Sequence, residues 1–104
     1  MDKSDYRKWA ARAADWGADY LDGLADQPVR PAIAPGDVAA MLPESPPEAP
    51  EEMEAIFADF ERIVPGAMTH WQHPRFFAYF PANASPASMV AEHLATSMAA
   101  QCMP

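Results

Sequence analysis

With 104 residues the chain can build one small domain with a modest core. Fifteen Asp and Glu against seven Lys and Arg leave a formal charge of −8, which excludes nucleic acid and anionic membrane surfaces as partners because both recruit clustered cations. No apolar run approaches the roughly 20 residues of a membrane-spanning helix, the chain opens on charged residues, and Cys102 is the only cysteine, so a cytoplasmic protein without internal disulfides is expected.

The first element predicted is a helix over 4–26. Tyr6, Trp9, Ala13, Trp16 and Tyr20 recur at helical spacing, Leu21 and Leu24 widen the stripe, Ser4 can cap the start, and Gly23 with Pro28 limits the end. Each ring on that face is worth about 1.5–3 kcal/mol when buried. The chain offers little to bury them against, so an exposed aromatic face is expected.

Residues 27–50 carry prolines at 28, 31, 35, 43, 46, 47 and 50, which remove backbone donors and bias their predecessors to extended geometry. An irregular arm follows, with at most a helical turn near Asp37–Leu42. Val29, Ile33, Val38, Met41 and Leu42 give it apolar anchors, favouring a strap across a surface over a free linker. A second helix is expected over 51–64: Met53, Ile56, Phe57, Phe60, Ile63 and Val64 share a face, Glu51, Glu52 and Glu54 suit its first turn, and Pro65-Gly66 ends it.

An aromatic loop occupies 65–84, with a short extended piece over Phe76–Tyr79. Prolines 74 and 81 keep it from becoming a long helix, and Trp71, Phe76, Phe77, Tyr79 and Phe80 call for burial. Phe76 and Phe77 are assigned to core. The third helix is placed over 85–104, with Ser85 as cap and Pro86 at the first helical position. Ala95, Thr96, Ser97, Ala99 and Ala100 leave it a small-residue face open to close approach. The chain becomes more apolar and small from Met89 on and stops on Gln101-Cys102-Met103-Pro104 with no charged tail, the expectation being a segment cut from a larger protein. The fold class is all-α: about three helices with a Pro-rich extended arm.

The residues offer no self-contained chemistry. His70 and His73 have a spacing that could serve a metal, but no Cys, Asp or Glu stands beside them, so none is expected. His93 reads as a packed or surface residue, and the glutamates as a helix start rather than a hydrolytic pair. Phosphate loops, nucleophile elbows and Cys–His patterns are lacking.

The ordered set Thr69-His70-Trp71, His73-Pro74 and Phe76-Phe77-Ala78-Tyr79-Phe80-Pro81 resembles the N-terminal signature of the pyridoxal-phosphate-dependent decarboxylases of aromatic amino acids. Pro35-Gly36, Leu42-Pro43 and Ile63-Val64-Pro65-Gly66 extend the likeness over essentially the whole chain. The resemblance implies a wrapping and dimerisation segment of a larger fold-type I enzyme, with a homodimer formed through the first and third helices and an amino-acid substrate. It implies that Tyr79, Phe80, Pro81 and Ala82 line the substrate pocket, and that Gln101 and Met103 reach the active site of the neighbouring subunit. Ala82 stands where many relatives carry a hydroxyl residue, which weakens dopa specificity, and Gln101 where an apolar residue is common. Pyridoxal phosphate is implied for the full-length enzyme and not for this chain: the family's cofactor-holding lysine, stacking histidine and pairing aspartate lie on a later domain, and the only lysines here are Lys3 and Lys8. No catalytic residue is therefore assigned. Two other readings stand beside this one: a stand-alone helical interaction module with a closed core, and the same cofactor family acting on a non-aromatic amino acid.

Overall fold

A computed structural model describes residues 1–80 and 83–101. Among them every regular element is helical: α1 (Lys3–Gly23) continued by a 3-10 turn (Leu24–Asp26), the short α2 (Asp37–Met41), α3 (Met53–Ala67) and α4 (Pro86–Ser97).

α1 is capped by Asp2, two residues before the expected Ser4. The Asp2 carboxylate accepts the N–H groups of Ser4 and Asp5 at 2.6 and 2.8 Å, while the Asp5 carboxylate reaches back to the Asp2 N–H. Two orphan donors are satisfied reciprocally, and both acids suit the positive helix end.

The aromatic face of α1, expected to be exposed, is largely covered within the chain, because α3 supplies rings at matching intervals. Trp9 lies 5.6 Å from Phe57, and Trp16 meets Phe60 edge-on at 4.8 Å between centroids. Trp9 is buried, together with Leu24 beyond the end of α1. Cations close over the rings: Lys8 Nζ stands 4.9 Å from the Trp9 ring, and the Arg12 guanidinium 4.8 Å from that of Phe57. Arg12 also pairs with Glu54 and Glu61 of α3 at 3.6 and 3.5 Å. These pairs are solvent-exposed and worth little singly, so the rings hold the two helices together.

α3 does not stop at Pro65. The helix runs through it to Ala67, because a proline in the last turn forfeits one bond only and Gly66 stays out of the left-handed conformation that would terminate it. α4 is shorter than expected. Ala99 adopts φ 48, and the N–H groups of Ala99 and Ala100 donate back to the Thr96 and Ala95 carbonyls, a Schellman closure that ends the helix at Ser97. Ser85 and Ser88 form the capping box at its start.

The arm is tied down near its start and again at the end of α2. The Val29 carbonyl accepts the His70 N–H at 3.0 Å, and Arg62 of α3 donates to the Met41 carbonyl at 3.4 Å. α4 lies across the other side of α1. Here the small residues that matter belong to α1: a Cβ on Gly17 would come within 2.8 Å of the Met89 terminal methyl. Beside this contact, Ala10, Ala13, Ala14 and Ala18 face Met89 and Val90 across an apolar groove of about 500 Å³. Tyr6 and His93 close it with a 2.8 Å hydrogen bond between Oη and Nε2.

The assembly is open. Its radius of gyration is 16.3 Å, against about 13 Å for a compact domain of 100 residues. It exposes 8621 Å², where a monomer of its mass is expected to expose about 5,800 Å². None of the described helices is long and apolar enough to cross a membrane.

Trp9→Ala is expected to destabilise the chain by about 3–5 kcal/mol, whereas Phe77→Ala, at a position 89% exposed, is expected to change stability by no more than about 0.5 kcal/mol. Urea unfolding followed by circular dichroism measures both.

Candidate functional site

The aromatic segment leaves α3 at Met68 and returns to the helical layer at Ser85. Its entry is fixed by two histidines, each 3% exposed. Buried imidazoles need partners for their ring nitrogens, and both find them at the C-terminal end of α1. His70 Nδ1 is 2.8 Å from the Tyr20 hydroxyl, with the rings 5.7 Å apart. His73 Nε2 lies 3.2 Å from the Ala25 carbonyl of the 3-10 turn, and its Nδ1 accepts the Arg75 N–H at 2.9 Å. A carbonyl can only accept and the Arg75 N–H can only donate, so this geometry fits a neutral His73 ring with its proton on Nε2 and a bare Nδ1. The two imidazoles thus face separate partners rather than one shared point. Burial pushes the Tyr20 phenol above its ordinary value, which keeps it a hydroxyl able to donate to His70.

Beyond His73 the chain turns outward. The backbone bonds His73 N–H to His70 carbonyl and Phe76 N–H to His73 carbonyl make successive tight turns. The extended piece expected over Phe76–Tyr79 is instead a bend, since Tyr79 holds φ 60. A left-handed conformation for a bulky aromatic residue costs about 1–2 kcal/mol. Stacking offsets part of it: Tyr79 lies parallel to Trp71 within 19° at 5.7 Å, and Trp71 meets Phe76 at 5.1 Å on a tilted contact. Gln72 Oε1 accepts the Ala84 N–H at 2.8 Å and ties the far end of the loop to the start of α4.

The outcome is a surface, not a core. Tyr79 is 82% exposed, Phe80 102%, and Phe77, assigned to core from sequence, 89%; only Phe76 is half-buried, beneath Trp71. Burial of these rings was expected on hydrophobicity alone, but this chain places no element opposite them. Tyr79 and Phe80 stand on one turn at the tip of a braced loop. Pro81 and Ala82 lie outside the described residues, as does Met103. Gln101 is exposed just past the C-terminal closure of α4. In chain order it is separated from the aromatic tip by the whole of α4, 12 residues and about 18 Å of helix.

Sequence reasoning missed Tyr20, Gln72 and the service of both histidines as anchors. The available signal was two histidines within four residues of an otherwise apolar segment. Such groups are either exposed or hydrogen-bonded, yet spacing alone does not name their partners.

Comparison with known proteins bears on this site. Residues 35–103 match the family model described as the pyridoxal-dependent decarboxylase conserved domain. The aromatic-L-amino-acid decarboxylase of Rattus norvegicus is 42% identical over 94 residues, covering 90% of this chain and 20% of the relative. Tyrosine decarboxylase 1 of Narcissus pseudonarcissus is 41% identical over 103 residues, covering 98% of this chain and 20% of its own length. The crystal structure of Catharanthus roseus tryptophan decarboxylase in complex with L-tryptophan superposes with a TM-score of 0.86 at 33% identity, over 95% of this chain and 21% of that one. The chain spans about a fifth of the length of the curated relatives it matches.

Tyr20→Phe removes the donor facing His70 Nδ1 and is expected to cost about 1–3 kcal/mol, read by urea unfolding at neutral pH. Because the folded chain holds the Tyr20 proton more tightly than the unfolded one, this contribution is intact below about pH 10 and falls as pH rises through the folded value. The alkaline limb of the stability profile is therefore expected to be shallower in Tyr20→Phe.

Proposed function

The chain belongs to the pyridoxal-dependent decarboxylase family, and we propose that it is the N-terminal part of an enzyme decarboxylating aromatic L-amino acids. In that enzyme it supplies one wall of the substrate pocket and contacts between subunits. The observation that carries this reading is the braced loop that holds Tyr79 and Phe80 in the open, on a backbone strained at Tyr79. A chain that served only its own core would turn such rings inward, and strained residues held by their surroundings favour a functional site.

On this reading Tyr79, Phe80, Pro81 and Ala82 form an apolar wall that orients the substrate's ring and keeps water from the carboxylate that leaves. Ala82 offers no hydroxyl, so the wall grips by shape and stacking and does not select ring hydroxyls. Gln101 and Met103 serve the active site of the neighbouring subunit. The exposed Val90, Leu94 and Met98 of α4 then pack against the partner in a symmetric homodimer. The covered aromatic face of α1 is not available for this, and α4 with the aromatic loop takes the greater share. The excess of exposed surface over that of a compact monomer favours this arrangement over a self-sufficient module.

Pyridoxal phosphate supplies the electron sink for such a reaction. The residues of this chain do not fit it. Lys3 and Lys8 are exposed near the start of α1 and Lys8 lies over Trp9, while the aromatic loop hangs from the opposite end of that helix. The cofactor must be held by other parts of the enzyme, and this chain binds and orients the substrate beside it.

In the intact enzyme, Phe80→Ala is expected to lower kcat/KM for aromatic substrates about 10- to 100-fold while changing stability by no more than about 0.5 kcal/mol. Phe57→Ala, under Trp9, is expected to cost about 3 kcal/mol of stability and to leave kcat/KM of the folded enzyme within about twofold. Equal catalytic losses would make the aromatic tip ordinary structure, and equal turnover of non-aromatic amino acids would move the substrate class. Sedimentation equilibrium of the chain is expected to show a dimer in the micromolar range; a monomer at high micromolar concentration would remove the proposed subunit contact.

A further inference from the structure

The aromatic tip is carried by a loop whose own interior is thin: among Trp71, Phe77, Tyr79 and Phe80 every side chain is exposed. Packing of Trp71 against Tyr79 and Phe76 fixes the spacing of these rings but not their direction relative to the helices. Direction must come from the bonds that join the loop to α1. Two do so, Tyr20 Oη to His70 Nδ1 in the last turn of α1 and His73 Nε2 to the Ala25 carbonyl of the 3-10 turn that continues it, and the Val29 carbonyl of the arm adds a third through the His70 N–H.

Of these the His73 contact has the greatest leverage. His70 lies before Trp71, whereas His73 follows it and precedes every turn that leads to Tyr79 and Phe80. Its ring bridges two backbones, accepting from Arg75 within the loop and donating to Ala25 outside it. It is nearly inaccessible, so water does not compete for either bond. Gln72 fixes the other end of the loop through Ala84. With both ends pinned, the orientation of the tip follows from the ring of His73.

We propose that His73 is a positioning residue for substrate recognition: as the neutral Nε2–H imidazole it latches the aromatic loop to the Ala25 carbonyl and sets the angle at which Trp71, Tyr79 and Phe80 meet the substrate's ring. This rests on the reading of that tip as a pocket wall. A wall grips the substrate's side chain equally in ground and transition states, so its misalignment acts on binding more than on the chemical step.

The two hydrogen bonds can be separated by substitution. In His73→Asn the side-chain oxygen can accept the Arg75 N–H, as Nδ1 does, but the side chain is too short to reach Ala25. In His73→Gln the longer amide can donate to the Ala25 carbonyl, as Nε2 does. In the intact enzyme, His73→Ala and His73→Asn are expected to raise KM for an aromatic amino acid about tenfold with kcat within about twofold, and His73→Gln to restore KM to within about threefold. A purely structural role would lower the amount of folded enzyme and leave the KM of the remainder unchanged. Unchanged KM in all three variants, or rescue by Asn as good as by Gln, overturns the proposal. On the chain itself, nitrogen-15 spectra of the imidazole are expected to show His73 protonated at Nε2, and the orientation of the aromatic loop relative to α1, read from residual dipolar couplings, to change in His73→Ala and return in His73→Gln. The opposite tautomer, or a loop orientation unchanged in His73→Ala, also overturns it. Failure of the wall reading is separate: it shows as Phe80→Ala without effect on turnover, while the latch still stands or falls on the loop orientation in the chain.

Discussion

One helix organises this chain, and its aromatic face is the constraint from which the other positions follow. Two tryptophans spaced seven residues apart on α1 need rings opposite them, and Phe57 and Phe60 of α3 provide these at 5.6 and 4.8 Å. Interlocked rings tolerate little sliding, so the register of α3 is fixed. Fixing α3 fixes where it ends, and its end delivers Thr69 and His70 beside the last turn of α1. The two buried histidines then find hydrogen-bonding groups within reach. A different registry between α1 and α3 would leave them unpaired, at a desolvation cost of several kcal/mol.

The same arrangement explains why a small chain can hold aromatic residues in the open. The loop's polar interior anchors are satisfied and nearly dry, while its apolar side chains face outward, the reverse of an ordinary loop on a small domain. Its orientation is governed by directional bonds to a rigid helix end and not by hydrophobic collapse. The strained Tyr79 conformation persists because both ends of the loop are tied, at His73 to the Ala25 carbonyl and at Ala84 to the Gln72 side chain. On the proposed reading such a braced surface divides the labour of the enzyme: another part of the protein holds the reactive group, and this loop presents a shaped wall to it.

α4 stands apart from this tightly determined half. Its contacts with α1 are a methionine against Gly17, a Tyr–His hydrogen bond and a groove lined by alanines. Small side chains on α1 allow approach but give little interlocking area. Most of the α4 surface is exposed, and its apolar residues contribute to an accessible area well above that of a compact domain of this mass. The proposed subunit contact is the arrangement that would cover it.

The sequence by itself determined the helical class and the kinds of segment. Apolar residues at helical spacing, the Ser85-Pro86 start and the proline-dense arm are local signals, and local backbone preferences decide them. The order of motifs through Tyr79-Phe80-Pro81 also carried the family. What only the tertiary structure decided was which surfaces meet. Periodicity shows that Trp9 and Trp16 share a face but not that α3 covers it, and hydrophobicity asks for burial of Phe77 and Phe80 without telling whether this chain can provide it. Helix starts were legible to within a turn, the ends less so: the helix expected to run to residue 104 ends at Ser97. α3 outran Pro65 and α4 closed early at Ala99 because their ends depend on the conformations of Gly66 and Ala99, which composition does not set. The partners of His70 and His73 lie about 50 residues away along the chain. A bond between such distant residues exists only once packing has brought the end of α1 beside the start of the loop, so no local reading of the sequence could have named it.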